Sequence, residues 1–213
     1  DRIVARFIPD ASTRTAAVET GEVHLIAYNH VPAQDLPTLR ETEGVIVDDT
    51  GYAMMPGVNI LIFDTTEPPF DKKEVRQAVS YAVDRQFIID AIWQGGGRPA
   101  TGPMSSTLEH YSPDVRRYDV EDRIEIANRL LDEAGYPRKE DGYRFELVHD
   151  LQPYGETWQR MGEYVAQALD EIGIKVELRY EDTPKWLTRI FTDYDFDMTS
   201  TGYFNFAAPV IGV

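Results

Sequence analysis

The sequence predicts an α/β fold. Two observations carry that expectation. Segments with apolar residues at helical spacing alternate with short apolar or alternating segments of strand type along the whole chain. Gly or Pro closes most of the helical segments, as a helix stop requires. The 213 residues and the 42% apolar fraction suffice for a substantial core.

The elements follow in order. IVARFI (3–8) reads as a strand ended by Pro9 and Asp10. Ser12 or Thr13 caps a short helix carrying Ala16, Ala17 and Val18, and Gly21 stops it. VHLIAY (23–28) is the next strand, which gives a compact βαβ unit with a parallel pair. VIVDDT (45–50) and VNILIF (58–63) are two more strands. Asp71, with Glu74 as its capping-box partner, opens a helix that runs to about Gln94. Its buried stripe is Val75, Ala78, Val79, Ala82, Ile89, Ile92 and Trp93.

Asp119 caps a helix with Ile124, Ala127, Leu130, Leu131 and Ala134 inside, ended by Gly135 and Pro137. FELVHD (145–150) is a strand, and Thr157 to Ile172 a helix facing inward through Trp158, Met161, Val165, Ala168 and Leu169. After Gly173, Ile174, Val176, Leu178 and Tyr180 alternate as a strand. Thr183 and Pro184 start another helix, and Phe196, Met198 and Ser200 lie in a last strand running into Gly202.

Charge and composition exclude several functions. Net charge is −16, which repels nucleic acid and anionic membrane. Without cysteine there is no disulfide, thiolate metal site or Cys nucleophile. The glycines at 95–97 follow a helix, whereas phosphate loops precede one, so they read as a helix stop and turn. The four histidines show no HExxH and no i, i+4 pair. Asp193, Asp195 and Asp197 alternate, but a calcium loop counted from Asp193 would meet Met198 where it needs Gly and Phe204 where it needs Glu. No catalytic residue, metal site or cofactor is assigned. Ligands of open α/β sheets bind beyond the carboxyl ends of strands. There the chain places LQPYGETW, with Gln152, Tyr154 and Trp158, and GYFNFAAP, with Tyr203, Phe204, Asn205 and Phe206. Rings supply apolar contact and amides fix orientation, so Tyr154, Trp158, Tyr203, Phe204, Asn205 and Phe206 are the candidate ligand-binding residues.

Several stretches resemble the family-5 extracellular solute-binding proteins, the oligopeptide and dipeptide binders of ABC importers. EPPFDKKEVRQAVSYAVDRQFIIDAIWQGGGRPATGPM is similar to the family's signature through Pro68–Asp71, Val75–Ala78, Ala82–Arg85, Gly95–Gly97, Gly102 and Pro103. RFIPDASTRTAAVETGEVHLI, ANRLLDEAGYP, LDEIGIKVEL and YDFDMTSTGY resemble further landmarks in the same order. The resemblance implies one lobe of a two-lobed periplasmic-binding-protein-like fold, with a mixed sheet flanked by helices. Residues 1–213 would be a single α/β lobe, a piece of a longer chain whose other lobe closes on the ligand. It also implies a periplasmic or membrane-tethered monomer that binds a small solute, peptide, sugar or similar, and delivers it to an ABC permease. In the family's peptide binders an Asp after the last strand pairs with the peptide's α-amino group. Its position here falls at Asn205 or Phe206, neither of which can do so. The ligand is therefore expected to differ from an ordinary peptide with a free N-terminus. Two other readings stand beside this one: an α/β hydrolytic enzyme using carboxylates, and a ligand sensor on the same scaffold.

Overall fold

The structure is a computed structural model that describes residues 2–27, 30–50 and 56–205. Its centre is a four-stranded mixed sheet in the order β1-β4-β2-β3. The strands are β1 (Gly57–Phe63), β2 (Phe145–Asp150), β3 (Ile174–Arg179) and β4 (Met198–Phe204). β4 lies antiparallel to β1 and parallel to β2, and β2 is parallel to β3.

Strand alternation divides the sheet into two faces. Phe63, Leu61, Leu147, Ile174, Val176 and Met198 share one face and enter the main core. Three helices cover it: α3 (Lys73–Ala82), α5 (Arg123–Glu133) and α6 (Glu156–Glu171). Val75, Val79, Leu131, Val165 and Leu169 are the helical side of that core. The opposite face carries α7 (Thr183–Thr188), whose Trp186 Nε1 donates to Thr199 Oγ1 at 3.2 Å. β2, α6, β3 and β4 form where the sequence expects them.

Arg144 ties the core together at one end. It is 4% exposed and donates to the carbonyls of Tyr136 and Ile172, to Asp132 and to Asn128 Oδ1. A cation there meets the carbonyl-rich C-terminal ends of α5 and α6, where the helix dipole favours it.

The first fifty residues depart from expectation. α1 (Ala11–Glu19) forms, and a 3₁₀ turn (Ala33–Asp35) leads into α2 (Leu36–Glu41). Thr15 Oγ1 donates to Asp35 Oδ2 at 2.7 Å and joins the two. The expected strands 3–8 and 45–50 do not form, nor does 23–28 over its described residues (Tyr28 lies outside them), so the βαβ unit is absent there. A strand needs a ladder partner, and these segments find none among the described residues. Their apolar residues Ile3, Phe7, Leu25 and Ile46 are 80–99% exposed.

Three caps differ as well. Asp10, not Ser12 or Thr13, caps α1 by accepting from Thr13 N. α3 begins after Lys72 with no side-chain cap, so Asp71 has no capping role. α5 begins after Asp122, while Asp119 pairs with Arg117.

The long helix expected from Asp71 to Gln94 breaks at Val83 and Asp84, both extended. Asp84 caps a second short helix, α4 (Arg85–Phe87), by accepting from Phe87 N, and a π turn (Ile88–Ile92) follows. Arg123 donates to the carbonyls of Tyr81 and Ala82, and Asp84 N donates to Tyr164 Oη. Tertiary partners thus satisfy the backbone groups that the break frees. Gly95 ends this segment at φ +77°, the left-handed stop that the triple glycine implies.

Candidate functional site

β4 outruns β2. Their ladder consists of His149 with Met198 and Asp150 with Thr199. Beyond it, β4 stays paired to β1 as far as Phe204 with Gly57. The chain leaving β2 turns toward β3, where Leu151 N donates to Arg179 O at 3.1 Å. From Ser200 to Phe204 the other edge of β4 therefore has no strand partner among the described residues. Gly202 and Phe204 are exposed on this stretch.

The connections explain why a crevice opens past the ends of β2 and β3. β2 leads into α6 on one face, and β3 leads into α7 on the other. Loops from adjacent parallel strands diverge, which is the usual position of a ligand crevice. A pocket of about 240 Å³ lies between them, lined by Leu151, Gln152, Gln159, Tyr180 and Glu181 among others. Gln152 is 4% exposed and its Oε1 has no partner among the described residues.

Five of the six candidate residues can be placed. Trp158, in the first turn of α6, is buried edge-on against Trp93 with ring centroids 5.8 Å apart. It covers Gly202, where an added Cβ would meet Trp158 Cη2 at 3.5 Å and Asn59 Oδ1 at 3.0 Å. Phe204 shares that face of β4 and is half-exposed. Tyr154 is exposed and lies 6.4 Å from Trp186, on the α7 side. Tyr203 and Asn205 point to the α7 side as well, and both are engaged: Tyr203 Oη donates to Pro103 O. Asn205 is 1% exposed, donates from Nδ2 to Pro103 O at 3.3 Å and accepts from Ser105 N at 2.7 Å. Its amide is spent within the protein. Phe206 lies outside the described residues. The structure thus divides the five described candidates between two faces of the sheet near the ends of β2 and β4.

Sequence reasoning missed the charged group beneath this crevice. Asp150 ends β2 at 1% exposure, with Arg179 Nε 3.3 Å and Arg189 Nε 3.8 Å from Oδ1. Arg189 is also held by a bidentate pair with Glu181 at 2.8 and 2.9 Å and by Asp195. Burial raises the Asp150 carboxyl to about 6, against the opposing pull of Arg179 and Arg189. Glu181 and Asp195 add to the rise. The strand ends carry half of the signal, since FELVHD closes on an acid and IKVELR on an arginine; the register of β2 on β3 then makes the two residues partners.

A second buried group lies on the helical face. His149 is fully buried, and neither ring nitrogen has a partner among the described residues; Ser200 Oγ and Trp93 Nε1 are in the same position. Burial lowers the His149 pKa to about 3, which leaves a neutral imidazole at physiological pH. Ordered water is the usual partner of such atoms. No group of three or more His, Asp or Glu side chains is placed to hold a metal among the described residues.

Residues 1–210 match the family described as bacterial extracellular solute-binding proteins, family 5 Middle. The chain belongs to this family. Family-5 relatives include a heme-binding protein A of Haemophilus influenzae, 34% identical over 82% of this chain and 30% of its own length. A dipeptide-binding protein of Escherichia coli is 30% identical over 89% of this chain and 34% of its own length. Among solved structures, the periplasmic binding protein DppA of Helicobacter pylori, in complex with peptide STSA, superposes with a TM-score of 0.83. It shares 23% identity and covers 96% of this chain and 37% of its own, so it shows the shared fold. The chain spans about a third of the length of the curated family-5 proteins it matches.

Proposed function

We propose that the chain is one α/β lobe of an extracytoplasmic solute-binding component of an ABC importer. It captures a small peptide-like or other polar solute and releases it to a membrane permease. The solute lies along the open edge of β4 from Gly202 to Phe204, and that edge is the observation that carries the reading. Unpaired backbone groups at a sheet edge are a template for an extended peptide, while neighbouring pockets read its side chains. Trp158 and Phe204 border the edge on one face, Tyr203 and Tyr154 on the other, and Gln152 lines the neighbouring pocket past β2. Segments outside this chain supply the opposite wall. Ligand stabilises the closed form through contacts that the open form lacks. No bond is made or broken.

The relatives support the class of solute: they bind dipeptide, the peptide STSA and heme. An amine anchor has no support from Tyr203 to Asn205, where no carboxylate occurs. The test is calorimetric titration of the full-length, ligand-stripped protein with a dipeptide and its N-acetylated twin. Equal binding of both is expected. Binding of the free peptide alone would establish an amine anchor, and binding of neither would remove the peptide reading.

A further inference from the structure

The loop after the triple glycine is held to the site from a distance of 100 residues. Ser105 N donates to Asn205 Oδ1 at 2.7 Å, and Asn205 Nδ2 and Tyr203 Oη both donate to Pro103 O. Asn205 N in turn donates to Pro56 O at 3.0 Å, which fixes the side chain's own backbone. The loop has no regular secondary structure of its own from Arg98 to Asp119. Its attachment at Pro103 and Ser105 therefore depends on side chains from the end of β4.

We propose that Asn205 and Tyr203 are positioning residues. They clamp the Gly102–Thr107 loop against the last residues of β4, so that this loop walls off the end of the β4 edge along which the solute lies and limits solute length. The proposal rests on the crevice reading above for its second part only. An amide is suited to the task, since one end accepts from Ser105 N while the other donates to Pro103 O. A carboxylate would serve only the first contact and would set its second oxygen against the Pro103 carbonyl. The same atom pair that removes an amine anchor thus builds a wall.

The experiment is amide hydrogen exchange of the full-length protein and its Asn205→Ala and Tyr203→Phe variants, with affinities for di-, tri- and tetra-alanine. Loss of one hydrogen bond corresponds to about a tenfold rise in exchange where local opening governs it. Asn205→Ala should raise Ser105 exchange about tenfold while the β1 amides of Val58, Ile60 and Ile62 stay protected. Tyr203→Phe should give a smaller rise and keeps the test usable if Asn205→Ala does not fold. Preference among the three peptides should flatten in both variants. Unchanged Ser105 exchange overturns the clamp, and a loosened loop with unchanged length preference overturns its role as a wall. If the parent protein binds no peptide, the peptide reading fails by itself, and the exchange result still decides the clamp.

Discussion

Replacing Asp150 by Asn isolates the balance of forces beneath the crevice. The carboxylate is 1% exposed, with arginines at 3.3 and 3.8 Å. Burial outweighs them, and the pKa rises from the ordinary 3.8 to about 6. Between those two values the folded state holds a proton that the unfolded state has released. Stability from this group therefore falls as pH rises through that window, and it is constant above it. At about 1.4 kcal/mol per pH unit, the full change is about 3 kcal/mol. The lowered carboxyls of Asp10, Asp119 and Glu181 act in the opposite direction, so total stability alone would hide the effect. The difference between parent and Asp150→Asn cancels them. Urea unfolding of both proteins at steps from pH 3.5 to 7.5 measures it. The expected result is a parent-minus-variant difference that drops by nearly the full amount across pH 3.5 to 7.5, about 2 kcal/mol of it between pH 4 and 6, and levels above about pH 7. A flat difference would show that Arg179 and Arg189 balance the burial of the charge, a rising one that they more than offset it, and either would refute the reasoning.

Gly162 lies inside α6 because Leu151, 2% exposed, packs onto it; an added Cβ would meet Leu151 Cδ2 at 2.2 Å. Gly162→Ala should destabilise by about 0–2 kcal/mol, an overpacking cost of about 1–3 reduced by about 1 of helix propensity, in urea unfolding. It should also weaken solute binding through the displaced loop at Gln152, and Leu151→Val should partly restore both. Arg144→Met should cost about 2–4 kcal/mol in the same assay, because the carbonyls of Tyr136 and Ile172 lose a charged donor. A loss under about 0.5 kcal/mol would show that water replaces the guanidinium fully.

Local patterns were sufficient where an element's partners lie close in sequence. β2, α6 and β3 form one parallel unit, and Leu147, Val165, Leu169 and Ile174 meet within it. The segments 3–8 and 45–50 have strand composition, yet composition cannot supply a ladder partner. The break at Asp84 was masked by a stripe that continues through Ile89 and Ile92, although Asp84 stands three residues before Phe87 as an N-cap should. At the site, strand ends pointed to Tyr154, Trp158, Tyr203 and Phe204, which the structure places near the ends of β2 and β4. Their facing was not legible, because Asn205 finds its partners at Pro103 and Ser105, and no local pattern reports a contact of that span. The buried pair of Asp150 and Arg179 required the register of β2 on β3, which the sequence alone leaves open.

The most direct test of the account is residue-resolved hydrogen exchange at Gly202, Tyr203 and Phe204 in the full-length protein, with and without a saturating dipeptide. A solute seated along the open edge of β4 should slow exchange at Gly202 or Phe204, whose N–H groups face that edge, at least about tenfold, while Tyr203, whose N–H faces Val58, and β3 are unchanged. Saturation with no slowing at either Gly202 or Phe204 would place the solute elsewhere and contradict the account.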